Sequence, residues 1–181
     1  EGVKEMSFST TVLAGEKTAS PHGIPGNRKI QKGDLVLFDL GVVFEGYCSD
    51  ITRTVAYHSI TDQQKEIYET VLRAELEAID AAQIGTEAKK VDDAARTIIA
   101  NQGYGKYFTH RIGHGLGIDI HEFPSMNGSN TLKLQEGMCF TIEPGIYIPQ
   151  VGGVRIEDDI FMTAKGPEVL TAYPKELQIL T

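Results

Sequence analysis

The sequence predicts an α+β fold made of two similar halves. Two observations carry this. Short apolar runs near both ends bracket a central stretch with helical periodicity. Residues 30–41, IQKGDLVLFDLG, also line up with residues 134–145, LQEGMCFTIEPG, at a constant offset of 104. Gln31, Gly33, Asp39 and Gly41 then fall on Gln135, Gly137, Glu143 and Gly145. Each copy ends an apolar strand in a carboxylate, followed after one residue by glycine. Two halves that each give a carboxylate to a shared site account for the repetition.

Each element has its own warrant. SFSTTVLAG alternates and predicts a first strand. Residues 14–33 are rich in Gly, Pro, Asn and Lys and predict a loop holding Pro21, His22 and Gly23. Residues 34–57 predict strands broken at Gly41 and Gly46. Thr61 then starts a helix, with Gln64 three residues on completing a capping box. Ile67, Val71, Leu72, Leu76 and Ile79 give it one apolar face, and Gly85 ends it. Thr86 is expected to cap a second helix through about Asn101, with Val91, Ala94, Ala95, Ile98 and Ile99 as its apolar face and Gly103 closing it. Glycine-rich loop and strand follow. No linker or low-complexity segment divides the chain, so residues 1–181 are expected to form one domain.

Residues 136–159, EGMCFTIEPGIYIPQVGGVRIEDD, organise the rest. Read as strands, MCFTIE points Thr141 and Glu143 to one face, and VRIED points Arg155, Glu157 and Asp159 to one face. An inward carboxylate on an apolar strand is costly unless a positive charge meets it. The stretch holds no lysine, and Arg155 is its only arginine. Metal ions answer the need, and further ligands stand upstream: Asp39 ending GDLVLFDLG, Asp50 in GYCSDITRT with Thr52 on the same face, and His114 in HRIGHGLG. Asp39, Asp50, His114, Glu143 and Glu157 suit two divalent ions roughly 3.5–4 Å apart. Asp158 points to the opposite face, and Asp159 shares the Glu157 face one pleat further on. Oxygen-rich ligation with one imidazole suits Mn, Co or Fe at least as well as Zn. The glycines of GHGLG are read as letting backbone pass close to the ions. His58 is left as a surface residue.

With 17 basic and 25 acidic residues the net charge is −8, which argues against nucleic acid or an anionic membrane as partner. No apolar run approaches the roughly 18 residues of a membrane span. Cys48 and Cys139 form no metal or redox motif and fit a reducing cytoplasm.

The runs SPHGIPGNR, GDLVLFDLG, GYCSDITRT, HRIGHGLGIDIHEFP, TIEPGIY and GGVRIEDD together resemble the Xaa-Pro peptidases of the pita-bread (creatinase/aminopeptidase) superfamily, the group holding prolidase and aminopeptidase P. The resemblance covers nearly the whole chain. Methionine aminopeptidases share some of these elements, but their last ligand usually comes much farther after the first glutamate. Here Glu157 follows Glu143 by 14 residues. Creatinases and non-catalytic pita-bread modules predict lost ligands, whereas all five are present.

The resemblance implies a strongly curved antiparallel sheet backed by helices. It implies that this chain is the catalytic part of a longer protein with an N-terminal domain and further helices first. It selects Glu157 over its acidic neighbours as ligand. It implies hydrolysis before proline in Xaa-Pro dipeptides by metal-bound hydroxide, with aminopeptidase P action on Xaa-Pro-Yaa peptides as the alternative. Glu143 would be ligand and proton shuttle. His22, His110 and His121 would bind substrate, with His22 or His121 stabilising the tetrahedral intermediate. Arg155 would clamp a substrate carboxylate or, as favoured here, orient the ligands. Two divalent ions (Mn, Co or Zn, with Mn favoured), small peptide substrates and a cytoplasmic homodimer complete the expectation.

Overall fold

The computed structural model describes residues 2–3 and 5–181. The first half holds β1 (Glu5–Met6), β2 (Thr11–Ala14), β3 (Leu35–Leu40), β4 (Val42–Phe44), β5 (Tyr47–Cys48) and β6 (Ile51–Tyr57). Helices α1 (Asp62–Ala81) and α2 (Ala88–Asn101) follow. The second half holds β7 (Gly113–Gly115), β8 (Glu122–Met126), β9 (Cys139–Ile142), β10 (Gly145–Ile148), β11 (Gly152–Arg155), β12 (Asp158–Thr163) and β13 (Gly166–Val169), and β14 (Ile179–Leu180) returns to the first half.

The first-half sheet runs β14-β6-β3-β2 and the second-half sheet β13-β12-β9-β7-β8. Apart from the parallel β14–β6 pair, their neighbours are antiparallel. A bridge between Thr52 and Glu157 ties the two halves together. The helices back the second sheet, where Ile67, Val71, Val91 and Ile99 bury completely with Phe140, Ile142 and Ile160. Two sheeted halves with helices behind them agree with the pita-bread arrangement expected from the sequence. Among the described residues no helix is long and apolar enough to cross a membrane.

Several local expectations need correction. Thr61 and Gln64 do form the capping box. The buried face of α1, however, runs through Ile67, Tyr68, Val71, Ala74 and Ala78, while Leu76 is half exposed. Past Val71 the buried face continues through Ala74 and Ala78, whose small side chains let the helix lie close to its neighbours. Thr86 is not the cap of α2. The N-cap is Glu87, which makes no side-chain cap bond. Instead the Ala88 and Lys89 N–H groups donate to the carbonyls of Leu132 and Asn130, so another segment satisfies the free helix end. Of the run SFSTTVLAG only Thr11–Ala14 is strand, as β2, and the following loop contains a 3-10 turn over Gly15–Ala19.

Candidate functional site

VRIED is not one strand. β11 pairs with β10 and β12 with β9, so the chain changes partner at Ile156 and Glu157. That break leaves Glu157 between two strands, where it meets Thr52 of the other half. Glu143 sits one residue past the end of β9, and Asp39 lies on β3 opposite Thr52 of β6. Asp50 immediately precedes β6, its N–H donating to Asp159 Oδ2 at 3.0 Å. His114 is the middle of the three-residue β7, squeezed between β8 and β9. A Cβ on Gly113 would collide with the Thr141 carbonyl, and one on Gly115 with the Phe123 carbonyl. The glycines therefore answer to neighbouring strands rather than to the ions.

Asp39, Asp50, His114, Glu143 and Glu157 all line one cavity of about 470 Å³, together with His22, His110, His121 and Arg155. Single donor atoms of Asp50, His114 and Glu157 lie within 4.8 Å of one another. His114 Nε2 is 3.7 Å from Asp50 Oδ2 and 3.6 Å from Glu143 Oε1. Its Nδ1 lies 3.0 Å from the Gly115 carbonyl, which can only accept, so the proton sits on Nδ1 and the Nε2 lone pair faces the carboxylates. Buried Asp50 Oδ1 has no hydrogen-bond partner among the described residues. A clustered set of carboxylate oxygens, one neutral imidazole and an orphaned buried oxygen fits divalent ions well.

The electrostatics agree with that fit. Burial, then the charges of Asp39 and Glu143, pushes Asp50 up to about 8. Burial raises Glu143 to about 7, with Arg155 opposing and Asp39 assisting. Glu157 is raised well above the carboxylate range by burial and then by Asp50 and Glu143. Burial pushes His114 down to about 4, so the imidazole is neutral and ready to ligate.

Arg155 is fully engaged. Its guanidinium pairs with Asp39, and its Nε donates to Thr52 Oγ1 at 3.1 Å. Thr52 in turn donates to Glu157 Oε2. The Nη1 of Arg155 donates to the Tyr147 hydroxyl at 3.0 Å and reaches the Pro21 carbonyl at 3.5 Å. Both His110 nitrogens are taken as well: Nδ1 by the Arg111 carbonyl at 2.8 Å, and Nε2 by the Tyr147 hydroxyl at 2.8 Å. His22 and His121 are exposed to the cavity with no side-chain hydrogen bond among the described residues. The His121 ring stands edge-on to His114, with centroids 4.3 Å apart.

Sequence reasoning missed Tyr147, which links Arg155 to His110. It also missed Asp159 as the acceptor that holds the Asp50 backbone, and Phe8, Arg111 and Ile120 in the cavity wall. Tyr147 stands in TIEPGIY, two residues past the glycine that ends the repeated segment.

The comparisons with known proteins converge on one group. YkvY of Bacillus subtilis (strain 168) is 59% identical over 180 residues, covering 99% of this chain and 50% of that protein. The Xaa-Pro dipeptidase from Bacillus anthracis superposes with a TM-score of 0.96 at 46% identity, over 99% of this chain and 50% of that one. The X-Pro aminopeptidase from Thermotoga maritima gives 0.96 at 37% identity, over 99% and 51%. The chain thus spans about half the length of the relatives it matches. The Peptidase_M24 model, metallopeptidase family M24, matches residues 1–164, and the chain belongs to that family.

Proposed function

We propose that this chain carries the catalytic site of a metal-dependent Xaa-Pro dipeptidase. The observation behind the reading is that the five candidate ligands and three histidines share one cavity. Two divalent ions held by Asp39, Asp50, His114, Glu143 and Glu157 supply, when bound, an activated water and a positive charge at the scissile carbonyl. Mn is favoured, with Co, Fe and Zn as alternatives, because oxygen donors outnumber the single imidazole.

The protein's own groups do the rest. Glu143, open to the cavity on 16% of its side chain, moves a proton to the proline nitrogen. That nitrogen carries no hydrogen in the substrate and must gain one to leave. His22 and His121 have free nitrogens and donate to the carbonyl oxygen as it becomes an oxyanion, worth about 3–4 kcal/mol per donor. His110 contributes its ring, because its nitrogens are engaged. Arg155 holds Asp39 and Thr52 in place rather than clamping substrate. The free thiols Cys48 and Cys139 fit a cytoplasmic setting, and a homodimer is the assembly expected, to be checked by sedimentation.

Removal of the first residue from Xaa-Pro-Yaa peptides is the second reading, favoured by the equal superposition on the Thermotoga X-Pro aminopeptidase. Assay of Ala-Pro, Leu-Pro, Ala-Pro-Ala, N-acetyl-Ala-Pro and Met-Ala-Ser with Mn, Co and Zn separates the cases. Ala-Pro and Leu-Pro should be cut, and the acetylated peptide spared. Strong cleavage confined to Ala-Pro-Ala would favour the aminopeptidase reading. Met-Ala-Ser as the best substrate would defeat both.

A further inference from the structure

The cavity is not the only place where acids meet. Glu75 lies on α1 and is completely buried, and neither of its oxygens has a hydrogen-bond partner among the described residues. No cation stands within ion-pair distance of it among the described residues. A bare carboxylate in such a place is very costly. Its neighbour, within hydrogen-bonding reach, is the carboxyl of Asp158. Asp158 is kept charged by its own surroundings. Arg53 Nη2 donates to its Oδ1 at 2.7 Å, the Thr171 hydroxyl donates to the same oxygen, and Lys175 Nζ stands 2.8 Å from Oδ2. That Oδ2 accepts no hydrogen bond among the described residues. Three oxygens at one contact are thus without a donor, and a single proton between the two acids supplies one. Asp158 holds the cations, so the proton belongs to Glu75. Burial and the charge of Asp158 push Glu75 well above the usual carboxylate range, against Lys175 and Arg53.

The contact matters through what Asp158 holds in turn. Its partner Arg53 donates from Nη1 to the Glu157 carbonyl at 2.6 Å and to the Thr52 carbonyl at 2.9 Å. These are the two residues that bridge the halves. Glu75, Asp158 and Arg53 all stand outside the wall of the catalytic cavity. We propose that Glu75 is a positioning residue: it donates a hydrogen bond from α1 to Asp158 and so, through Arg53, fixes the backbone from which Glu157 reaches the ions. The role of Glu157 as a ligand rests on the proposed function, whereas the proton on Glu75 is independent of it.

Two measurements on the full chain test this, with wild type, Glu75→Gln and Glu75→Met. The infrared difference spectrum of wild type against Glu75→Gln should contain the C=O stretch of a protonated carboxylic acid. Absence of that band overturns the assignment. Calorimetric titration with Mn²⁺ should reach the same saturating stoichiometry in all three proteins. Glu75→Gln keeps a donor of the same shape and should bind Mn²⁺ within about twofold of wild type, whereas Glu75→Met removes the donor and should bind about three- to tenfold more weakly. Lower stability in Glu75→Met with unchanged Mn²⁺ affinity would mean a merely structural role and overturn the proposal. Glu75→Gln as weak as Glu75→Met would show that a charge is needed there rather than a donor, and overturn it too. Should Glu75→Met fail to fold, Thr171→Val removes another donor to Asp158 at a half-buried position and should weaken Mn²⁺ binding about threefold. Unchanged affinity in Thr171→Val would break the link from Asp158 to Glu157 and overturn the positioning role. A wild-type chain that takes up no Mn²⁺ would defeat the metal reading, with the infrared band still deciding the proton on Glu75.

Discussion

Glu157 and Asp158 are neighbours in sequence, and both are almost wholly buried, yet their surroundings are opposite. Asp158 is met by Arg53 at 2.7 Å, by Lys175 at 2.8 Å and by the Thr171 hydroxyl. Burial works against its charge, but Lys175, Thr171 and Arg53 prevail and hold it below the usual carboxylate range. Glu157 points into the cavity, receives only the Thr52 hydroxyl among the described residues, and is driven well above that range by burial and by Asp50 and Glu143. The fold neutralises one acid with its own cations and leaves the next to be neutralised from outside. A carboxylate that holds the structure together and one reserved for chemistry can thus be told apart by who supplies the positive charge.

The largest test of that contrast exchanges the two acids for their amides. Glu157→Gln should lower bound metal from about two ions per chain to one or fewer by mass spectrometry, and cut Ala-Pro turnover by roughly 10³-fold. Its metal-free thermal stability should not fall. Asp158→Asn should do the reverse: it leaves Arg53 and Lys175 short of a buried partner and costs about 3–5 kcal/mol in urea unfolding, with metal stoichiometry kept. Full metal content in Glu157→Gln would erase the distinction.

A smaller effect is expected at His22, which is exposed to the cavity and lies outside the proposed ligand set. His22→Ala should lower kcat by about 10- to 100-fold with metal content intact. Undiminished turnover would reduce the Pro21-His22-Gly23 loop to a structural role.

The smallest effect is a pH dependence. In the metal-free chain the folded values of about 8 for Asp50 and about 7 for Glu143 and Asp159 lie above the unfolded carboxylate range near ~4. The folded state therefore binds protons more tightly. Their contribution to stability is complete below about pH 4 and is lost as pH rises through 7 to 8. Melting temperature of the metal-free chain should decline over that window, and added Mn²⁺ should raise it more at pH 8 than at pH 5. A flat profile would mean that the acids are neutralised within the protein, as Asp158 is.

Much of this was legible in the sequence because it is written in periodicity and in anomalies. The apolar runs that lead to Asp39 and Glu143 and the Thr61–Gln64 box are local patterns, and they appear in the fold as β3, β9 and the start of α1. What escaped depends on partners far along the chain. The cap of α2 is backbone from residues 130–132, so no nearby side chain announces it. The strand break at Glu157 follows from β11 and β12 choosing different neighbours, which the run VRIED does not reveal. Tyr147 and Arg111 look like an ordinary core aromatic and a surface cation until the cavity is formed around them.

The Thr52–Glu157 bridge has a kinetic meaning as well. The donors of the proposed site come from Asp39 at one extreme and Glu157 at the other, with both helices in between. Closing that loop costs chain entropy before any contact rewards it. No fragment shorter than this span can bring the donors together, so tight ion capture should be among the last events of folding. Metal uptake would then act as a latch, favouring chains whose distant ends have already met.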